Sequence, residues 1–234
     1  MNSTRKIAIV VGMLFIIATV AAVLSAALTQ PILNTPDYLI KIASNENQVI
    51  TGALLQLINA AASVGIGISL YPILKKYNEG LALGAAGFRI IEGALDIVGL
   101  IGLIVLLTLS QEFVKAGTPD SSYFQTLGVL IQAGRDWVNN VAVLVTWCIG
   151  ALMYYYLFYQ NKLIPRWLAG WGLVGITLTI VSSILVMFRL ISPFGTIQIV
   201  VNLPIALQEP VLAIWLIVKG FNSSVIAYKP VTQT

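Results

Sequence analysis

The sequence has 234 residues, of which 58% are hydrophobic and only 9% are charged, and its mean hydropathy is +0.91. A soluble domain carries about 25% charged residues, so this composition excludes a water-soluble fold and indicates a polytopic membrane protein. The chain lacks histidine and has one cysteine, Cys148, which excludes an internal disulfide, Cys/His zinc sites and Ser-His-Asp catalysis.

Six apolar segments are each long enough to cross a hydrocarbon core of about 30 Å, which takes about 20 helical residues. The first has an apolar core of about 22 residues, too long for a cleaved signal peptide, so we expect an uncleaved helix. The sequence therefore predicts an all-α integral membrane protein, with six transmembrane helices in one bundle and a single domain over 1–234. The predicted spans are 7–29, 47–73, 82–109, 136–159, 167–190 and 197–219.

Basic residues are distributed unevenly between the connections, which predicts the orientation of the chain. The basic side holds Arg5, Lys6, Lys75, Lys76, Lys162, Arg166, Lys219 and Lys229, and the other side holds Lys41 and Lys115, with Arg189 near the end of the fifth span. We therefore expect both termini to be cytoplasmic and the protein to lie in the cell membrane. The net charge of +4 is a topology signal, and no basic-aromatic patch indicates nucleic acid as a partner.

The connections on the less basic side contain helix-start patterns. The Thr-Pro-Asp triplets at 35–37 and 118–120 combine a capping residue, a proline suited to the first turn and an acidic group near the helix N-terminus. They predict short outer helices near 36–43 and 119–133, the second of which could be an extension of the fourth span. A further start at 44–46 leads into the second span. These segments are either ordered loops or a lid over an outward cavity.

Small residues recur at every fourth position on two spans. This spacing lets helix backbones approach closely, so it predicts tight packing within the bundle, with homo-oligomerisation through one ridge as the alternative. The positions are Ala18, Ala22 and Ala26 on the first span and Gly175, Thr179 and Ser183 on the fifth.

Ionisable residues inside apolar segments are the strongest functional signal, because a charge in hydrocarbon costs several kcal/mol or more. At 100° per residue, Arg89, Glu92 and Asp96 fall within about 60° of one face of the third helix. Glu209 lies near the middle of the sixth span, at about the depth of Glu92. With two residues at the mouth of the fourth span, the candidate polar site comprises Arg89, Glu92, Asp96, Arg135, Asp136 and Glu209.

Polar and helix-breaking neighbours support this candidate site. Gly93 would let a helix or a ligand approach, and Pro210 removes a helical hydrogen bond and frees carbonyls such as that of Ala206. The other supporting residues are Gln56, Asn59, Asn139, Asn140 and Arg189.

Three arginines oppose four carboxylates in this set, which suggests a paired network with one surplus carboxyl group. An unpaired carboxyl group in a bundle interior favours its neutral form. We therefore interpret Glu92 or Glu209 as a candidate proton carrier. The opposite interpretation is that buried ion pairs only fix helix register.

A helix-breaking residue follows each of the two midplane glutamates, as Gly93 follows Glu92 and Pro210 follows Glu209. This pattern is typical of inverted 3+3 repeats with interrupted helices in transporters. The two Thr-Pro-Asp starts lie on the same side of the membrane and favour repeated hairpins instead. The sequence leaves both arrangements open.

Several longer motifs resemble a membrane family known only as domain of unknown function 4386. They are NEGLALG (78–84), GFRIIEG (87–93), TLSQE (108–112), SPFGTI (192–197), LPIALQE (203–209) and WLIVKGF (215–221). The resemblance covers almost the whole chain and implies a bacterial or archaeal polytopic membrane protein whose charged motifs belong to the family pattern. It implies no activity and assigns no role to any residue.

Three functions are consistent with the sequence. The first is binding or transport of a small solute, an ion or a lipid at a mid-membrane cavity. The second is a structural or accessory role in which the charges only hold the bundle together. The third is lipid modification with carboxylates as acid or base, but the sequence has no evident nucleophile-base pair, metal cluster or phosphate loop, so we expect neither an enzyme nor a cofactor. The expected partners are membrane lipids and a small-molecule or ion ligand.

Overall fold

The computed structural model describes residues 3–117 and 121–222, and these residues form helices and connections without a β-strand. Six helical stretches are long and apolar enough to cross a membrane, which confirms the predicted fold class. The Thr-Pro-Asp triplet at 118–120 lies outside the described residues. The helices are α1 (Ser3–Leu33), α2 (Tyr38–Ser44), α3 (Glu46–Leu74), α4 (Glu79–Ala116), α5 (Ser121–Trp137), α6 (Leu144–Gln160), α7 (Arg166–Met187) and α8 (Thr196–Val218).

The fourth span is one continuous helical stretch made of α5, a π-helical turn (Val138–Val143) and α6. The described part of the segment predicted near 119–133, which begins at Ser121, is therefore an extension of this span. Asn140 Nδ2 donates to the Asp136 carbonyl oxygen at 3.1 Å within the stretch. π-Helical turns are frequent at functional sites.

Helix α2 begins later than the 35–37 pattern predicts. The Thr35 hydroxyl donates to the Ile32 carbonyl oxygen at 2.9 Å, so it closes the end of α1 and does not cap α2. Tyr38, Leu39 and Ile42 are buried in a small core with the ends of α1, α3 and α4. Their burial fixes α2 against the bundle.

Helix α7 ends at Met187, three residues before the predicted end of the fifth span at 190. Arg189 adopts a left-handed backbone conformation with φ 57°. The Leu190 N–H donates to the Leu185 carbonyl at 2.9 Å and the Arg189 N–H to the Val186 carbonyl at 2.9 Å. This is the Schellman pattern, which satisfies the last carbonyls and terminates the helix.

Helices α4 and α8 continue through Gly93 and Pro210, the two helix-breaking residues that follow the midplane glutamates. A Cβ atom at Gly93 would lie 2.6 Å from Val64 Cγ2 and 3.1 Å from the Ala60 carbonyl oxygen, so Gly93 permits close approach of α3. Pro210 leaves the Ala206 carbonyl without a helical N–H donor while α8 continues to Val218. Neither helix is interrupted at these residues, so the described structure gives no support to the inverted-repeat interpretation.

The six spans form a closed ring in which α1 contacts α3, α3 contacts α4, α4 contacts α6, α6 contacts α7, α7 contacts α8, and α8 returns to α1. The Arg5 guanidinium donates to the carbonyls of Leu216 at 3.0 Å and Val218 at 3.1 Å, and also to that of Ile217. The start of α1 and the end of α8 thus lie together. We call this end of the bundle the termini side and the opposite end the far side; the cytoplasmic location of the termini stays a prediction.

The largest core cluster lies toward the termini side and contains a group of fully buried aromatic rings. Tyr154 packs against Phe15 with ring centroids 6.3 Å apart and against Phe158 at 5.6 Å. Phe158 also contacts the ring of Phe221 at 5.9 Å. This cluster fills the ring of helices on the termini side.

Gln208 joins three helices inside this core. It is fully buried, its Oε1 accepts from the Tyr155 hydroxyl at 2.5 Å, and its Nε2 donates to the Leu168 carbonyl at 3.0 Å. We expect Gln208→Leu to lower the free energy of unfolding by about 1–2 kcal/mol, because the buried Tyr155 hydroxyl loses its acceptor. Reversible unfolding in mixed micelles of a mild detergent and dodecyl sulfate measures the loss. The control is Gln160→Leu at the exposed end of α6; equal stability of the two variants would contradict the expectation.

Candidate functional site

A cavity of about 490 Å³ occupies the centre of the helix ring, a volume within the range of small-molecule sites. It is lined by residues of all six spans. Five of the six candidate site residues line it, namely Arg89, Glu92, Asp96, Arg135 and Glu209. Their assignment as a functional site stays a prediction, and the structure gives their positions and partners.

Arg89 and Glu92 form a buried ion pair on α4, with Nη1 and Oε2 3.1 Å apart and side chains 3% and 6% exposed. Ser63 of α3 donates from its hydroxyl to Glu92 Oε1 at 3.0 Å, and its carbonyl accepts from Arg89 Nε at 3.3 Å. Gly67 makes room for the pair, because a Cβ atom there would lie 2.8 Å from Arg89 Cβ. Glu92 is therefore a paired carboxylate and not the surplus one.

Asp96 has amide neighbours instead of a cation. Asn59 Nδ2 donates to Asp96 Oδ2 at 3.0 Å, and Gln56 Nε2 donates to the Asp96 backbone carbonyl at 3.1 Å. Gln56 Nε2 also lies 3.3 Å from Asn139 Oδ1 on the π-helical turn. Gly99 leaves space for this arrangement, since a Cβ atom there would lie 2.8 Å from Gln56 Nε2. These amides link α3, α4 and the fourth span along one wall of the cavity.

Glu209 lies on the cavity wall of α8 and is partly exposed. Within residues 3–117 and 121–222 it forms neither an ion pair nor a hydrogen bond through its carboxyl group. Of the two glutamates that we considered as proton carriers, Glu209 is thus the one without a direct ion pair; Arg89, already paired with Glu92, acts on it electrostatically. Its proposed role in proton transfer stays a prediction.

The expected network of ion pairs is not present among the described residues. They contain three ion pairs, and only Arg89–Glu92 belongs to the predicted set. Arg135 and Asp136 are neighbours in sequence and point about 100° apart on their helix, so one lines the central cavity and the other does not. Asp136 and Arg189 instead line a second cavity of about 320 Å³.

The central cavity opens sideways between α1 and α8. Every exposed lining residue lies on these two helices: Ala22, Val23, Ile199, Leu203 and Ala206. Toward the termini side the same helices touch, because a Cβ atom at Gly12 would lie 2.7 Å from the Ala213 carbonyl oxygen. The two helices therefore close the cavity near the termini and part toward the far side. Helix α2 contributes no side chain to the cavity, so it is not a lid over it.

The two walls of the cavity differ in chemistry. Helices α3, α4 and the π-helical turn supply most of its charged and amide groups, including Asn139 and Asn140. The facing part of α1 supplies mainly small and apolar side chains. All three alanines expected to pack against a neighbouring helix, Ala18, Ala22 and Ala26, line the cavity, as does Thr179, whereas Gly175 and Ser183 are buried and do not line it.

The family described as a domain of unknown function, DUF4386, matches residues 10–220. The chain belongs to this family. The match confirms the resemblance carried by the motifs, while the bacterial or archaeal source stays a prediction. No curated protein sequence and no solved structure is similar enough to count as a match. The family supplies no activity, so the function of this DUF4386 chain has to be argued from its geometry.

Several lining residues of this DUF4386 chain were missed by the sequence reasoning. Gln198 and Asn202 line the cavity from α8, and Ser182 of α7 donates to Asn202 Oδ1 at 2.8 Å. Gln198, Asn202 and Glu209 are separated by four and seven residues, a spacing that places them on one helix face and that the sequence displays. Trp147 and the α1 wall carry no comparable signal, because apolar residues are expected throughout a membrane helix. In the described ranges no cluster of three Cys, Asp or Glu side chains could hold a metal ion.

Proposed function

We propose that this protein binds a small amphipathic molecule in the central cavity, as a binding or transport protein of a membrane. The observation that carries the proposal is a cavity whose charged and amide groups are concentrated on α3, α4 and the π-helical turn, whose α1 side is mainly small and apolar, and which opens sideways between α1 and α8. A ligand with a polar and an apolar end would match both walls. We propose that the ligand enters the cavity from the surrounding membrane lipids.

Burial of the charges supports a binding role over a purely structural one. Arg89 and Glu92 are both on α4, so their ion pair does not by itself tie two helices together. Buried charges that serve only to hold helices together would be expected to form ion pairs between different helices. Glu209 instead faces the cavity without a direct ion pair among the described residues. We also propose that the protein is not an enzyme, because Ser63, the lining hydroxyl that donates to a carboxylate, is only 2% exposed and its acceptor Glu92 is already paired with Arg89.

The proposal predicts that filling the cavity mouth removes the bound molecule. Ala22 is an exposed lining residue of α1, and Ala22→Trp would place a large ring at the opening. We expect wild-type protein extracted in a mild detergent to carry a molecule of defined mass, and Ala22→Trp to reduce its occupancy about tenfold or more. Native mass spectrometry measures both.

Ala27→Trp is the matched control, because Ala27 is also exposed on α1 but does not line the cavity. This variant should keep wild-type occupancy. If Ala22→Trp and Ala27→Trp carry the same molecules in the same amounts as the wild type, the proposed binding function is wrong.

A further inference from the structure

Arg135 is a buried cation that lines the cavity without a hydrogen-bond or ion-pair partner among the described residues. Its exposed fraction is 5%, and neither Nε nor Nη1 has a hydrogen-bond partner in residues 3–117 and 121–222. None of the three ion pairs in these ranges involves it. A guanidinium stays charged in proteins, and buried donors without acceptors are costly. Asp136, the next residue, acts on Arg135 electrostatically but accepts no hydrogen bond from it. The arrangement therefore calls for an acceptor that the described residues do not supply.

Packing holds the Arg135 side chain at the edge of the polar wall. It lies across Gly102 of α4, where a Cβ atom would meet Arg135 Cβ at 3.6 Å and Cδ at 3.8 Å. Gly102 is six residues beyond Asp96 on α4, so Arg135 lies about 9 Å further toward the far side at 1.5 Å per residue. The guanidinium is thus separated from the carboxylates near the middle of the cavity.

Gln198 of α8 is a second unpartnered donor on the same cavity. Its Oε1 accepts from the Phe194 N–H at 2.7 Å, which fixes the orientation of the amide group. Its Nε2 has no hydrogen-bond partner within the described part of the chain, and the residue is only 3% exposed. Gln198 is in the first turn of α8, which begins on the far side. Two buried donors without acceptors thus belong to the far-side part of one cavity.

Resting on the proposed binding function, we infer that the far-side part of the cavity is an oxyanion subsite in which Arg135 binds the carboxylate or phosphate group of an amphipathic ligand. The planar guanidinium fork matches both groups in geometry and charge. The apolar part of the ligand lies against α1 and α8, where Val23 and Leu203 border the opening. The ligand is therefore an anionic amphiphile.

Matched ten-carbon probes test the subsite in nanodiscs of phosphatidylcholine. The probes are decanoate, decyl phosphate and the neutral decanol, with acetate and inorganic phosphate as ligands without a chain. Each probe is titrated calorimetrically into nanodiscs that carry the wild type or Ala22→Trp. The titration with Ala22→Trp measures how much probe partitions into the lipid without binding in the cavity. We expect the wild type to bind at least one of the two anionic amphiphiles ten times or more tightly than decanol, and more tightly than the matching small anion.

Arg135→Gln should abolish the preference for an anion, and Arg135→Lys should keep part of it. Arg189→Gln is the matched control, because Arg189 is exposed and does not line the central cavity; it should bind as the wild type does. If Arg135→Gln does not fold, the relative affinities of the wild type for the charged and neutral probes still test the oxyanion subsite.

The outcomes separate this inference from the proposed function. Equal binding of charged and neutral probes by the wild type, or an unchanged preference in Arg135→Gln, overturns the oxyanion subsite while cavity binding stands. If inorganic phosphate or acetate binds as tightly as the ten-carbon anions, the inference that the ligand is an amphiphile is wrong. The result would indicate that the ligand is a soluble oxyanion. If no probe binds the wild type more tightly than it binds Ala22→Trp, the proposed function fails as well.

Discussion

Arg89→Met is expected to lower the free energy of unfolding by about 3–5 kcal/mol, because it leaves Glu92 buried without its counter-charge. The two side chains are almost completely buried, and Ser63 is the other polar group bound to both. Reversible unfolding in mixed dodecyl sulfate micelles measures the change. The double variant Arg89→Met/Glu92→Gln should recover part of the loss, because it removes both charges together.

An exposed ion pair on the same helix provides the control. Glu112 and Lys115 have the same spacing of three residues, with an oxygen–nitrogen distance of 2.8 Å and side chains 56% and 71% exposed. Lys115→Met should cost less than about 1 kcal/mol, as solvated pairs contribute little. A loss in Arg89→Met as small as that in Lys115→Met would show that the buried pair does not stabilise the bundle.

Gly175→Leu should be the most disruptive of the helix-contact substitutions, with a loss of about 3 kcal/mol, at the upper end of the range for overpacking. A Cβ atom at Gly175 would lie 3.0 Å from the backbone nitrogen of Ile205 and 3.1 Å from its Cα. Backbone atoms cannot rotate away, so α7 and α8 must separate. Thermal unfolding in detergent, followed by circular dichroism, measures the loss.

Gly170→Leu on the same helix is the matched control. A Cβ atom there would meet only Tyr159 Cε2 at 3.8 Å, which is an ordinary contact. Leucine also has a higher helix propensity than glycine, so this variant should be at least as stable as the wild type. If both variants unfold at the same temperature, close approach of α7 and α8 at Gly175 is not needed for stability.

The number and order of the membrane spans could be predicted because each depends on one strong signal, a run of about 20 apolar residues. Span ends were less predictable, because they depend on hydrogen bonds within a few residues. Met187 ends α7 because Arg189 adopts a left-handed conformation, although neither glycine nor asparagine marks the site. Thr35 resembles a cap in sequence, yet its hydroxyl bonds backward to Ile32.

The candidate site was predictable on α4 and much less so elsewhere. Charged residues on one helix face are visible in a sequence, so Arg89, Glu92 and Asp96 could be grouped by their spacing alone. The pairing of Arg89 with Glu92 also follows from their spacing of three residues on α4. The partners that these charged residues have on α3, namely Ser63, Asn59 and Gln56, are set by contacts between helices, which the sequence does not encode locally.

The contact between α1 and α8 has a consequence for biosynthesis. These are the first and the last of the six spans, so the helix ring closes only when the final span has entered the bilayer. Until then, the ring of helices is incomplete and the charged residues of α4 face lipid, where exposed charge is unfavourable. A chain halted after α7 should therefore be a substrate for membrane quality control, whereas insertion of α8 closes the ring of six spans and encloses the charged residues of α4.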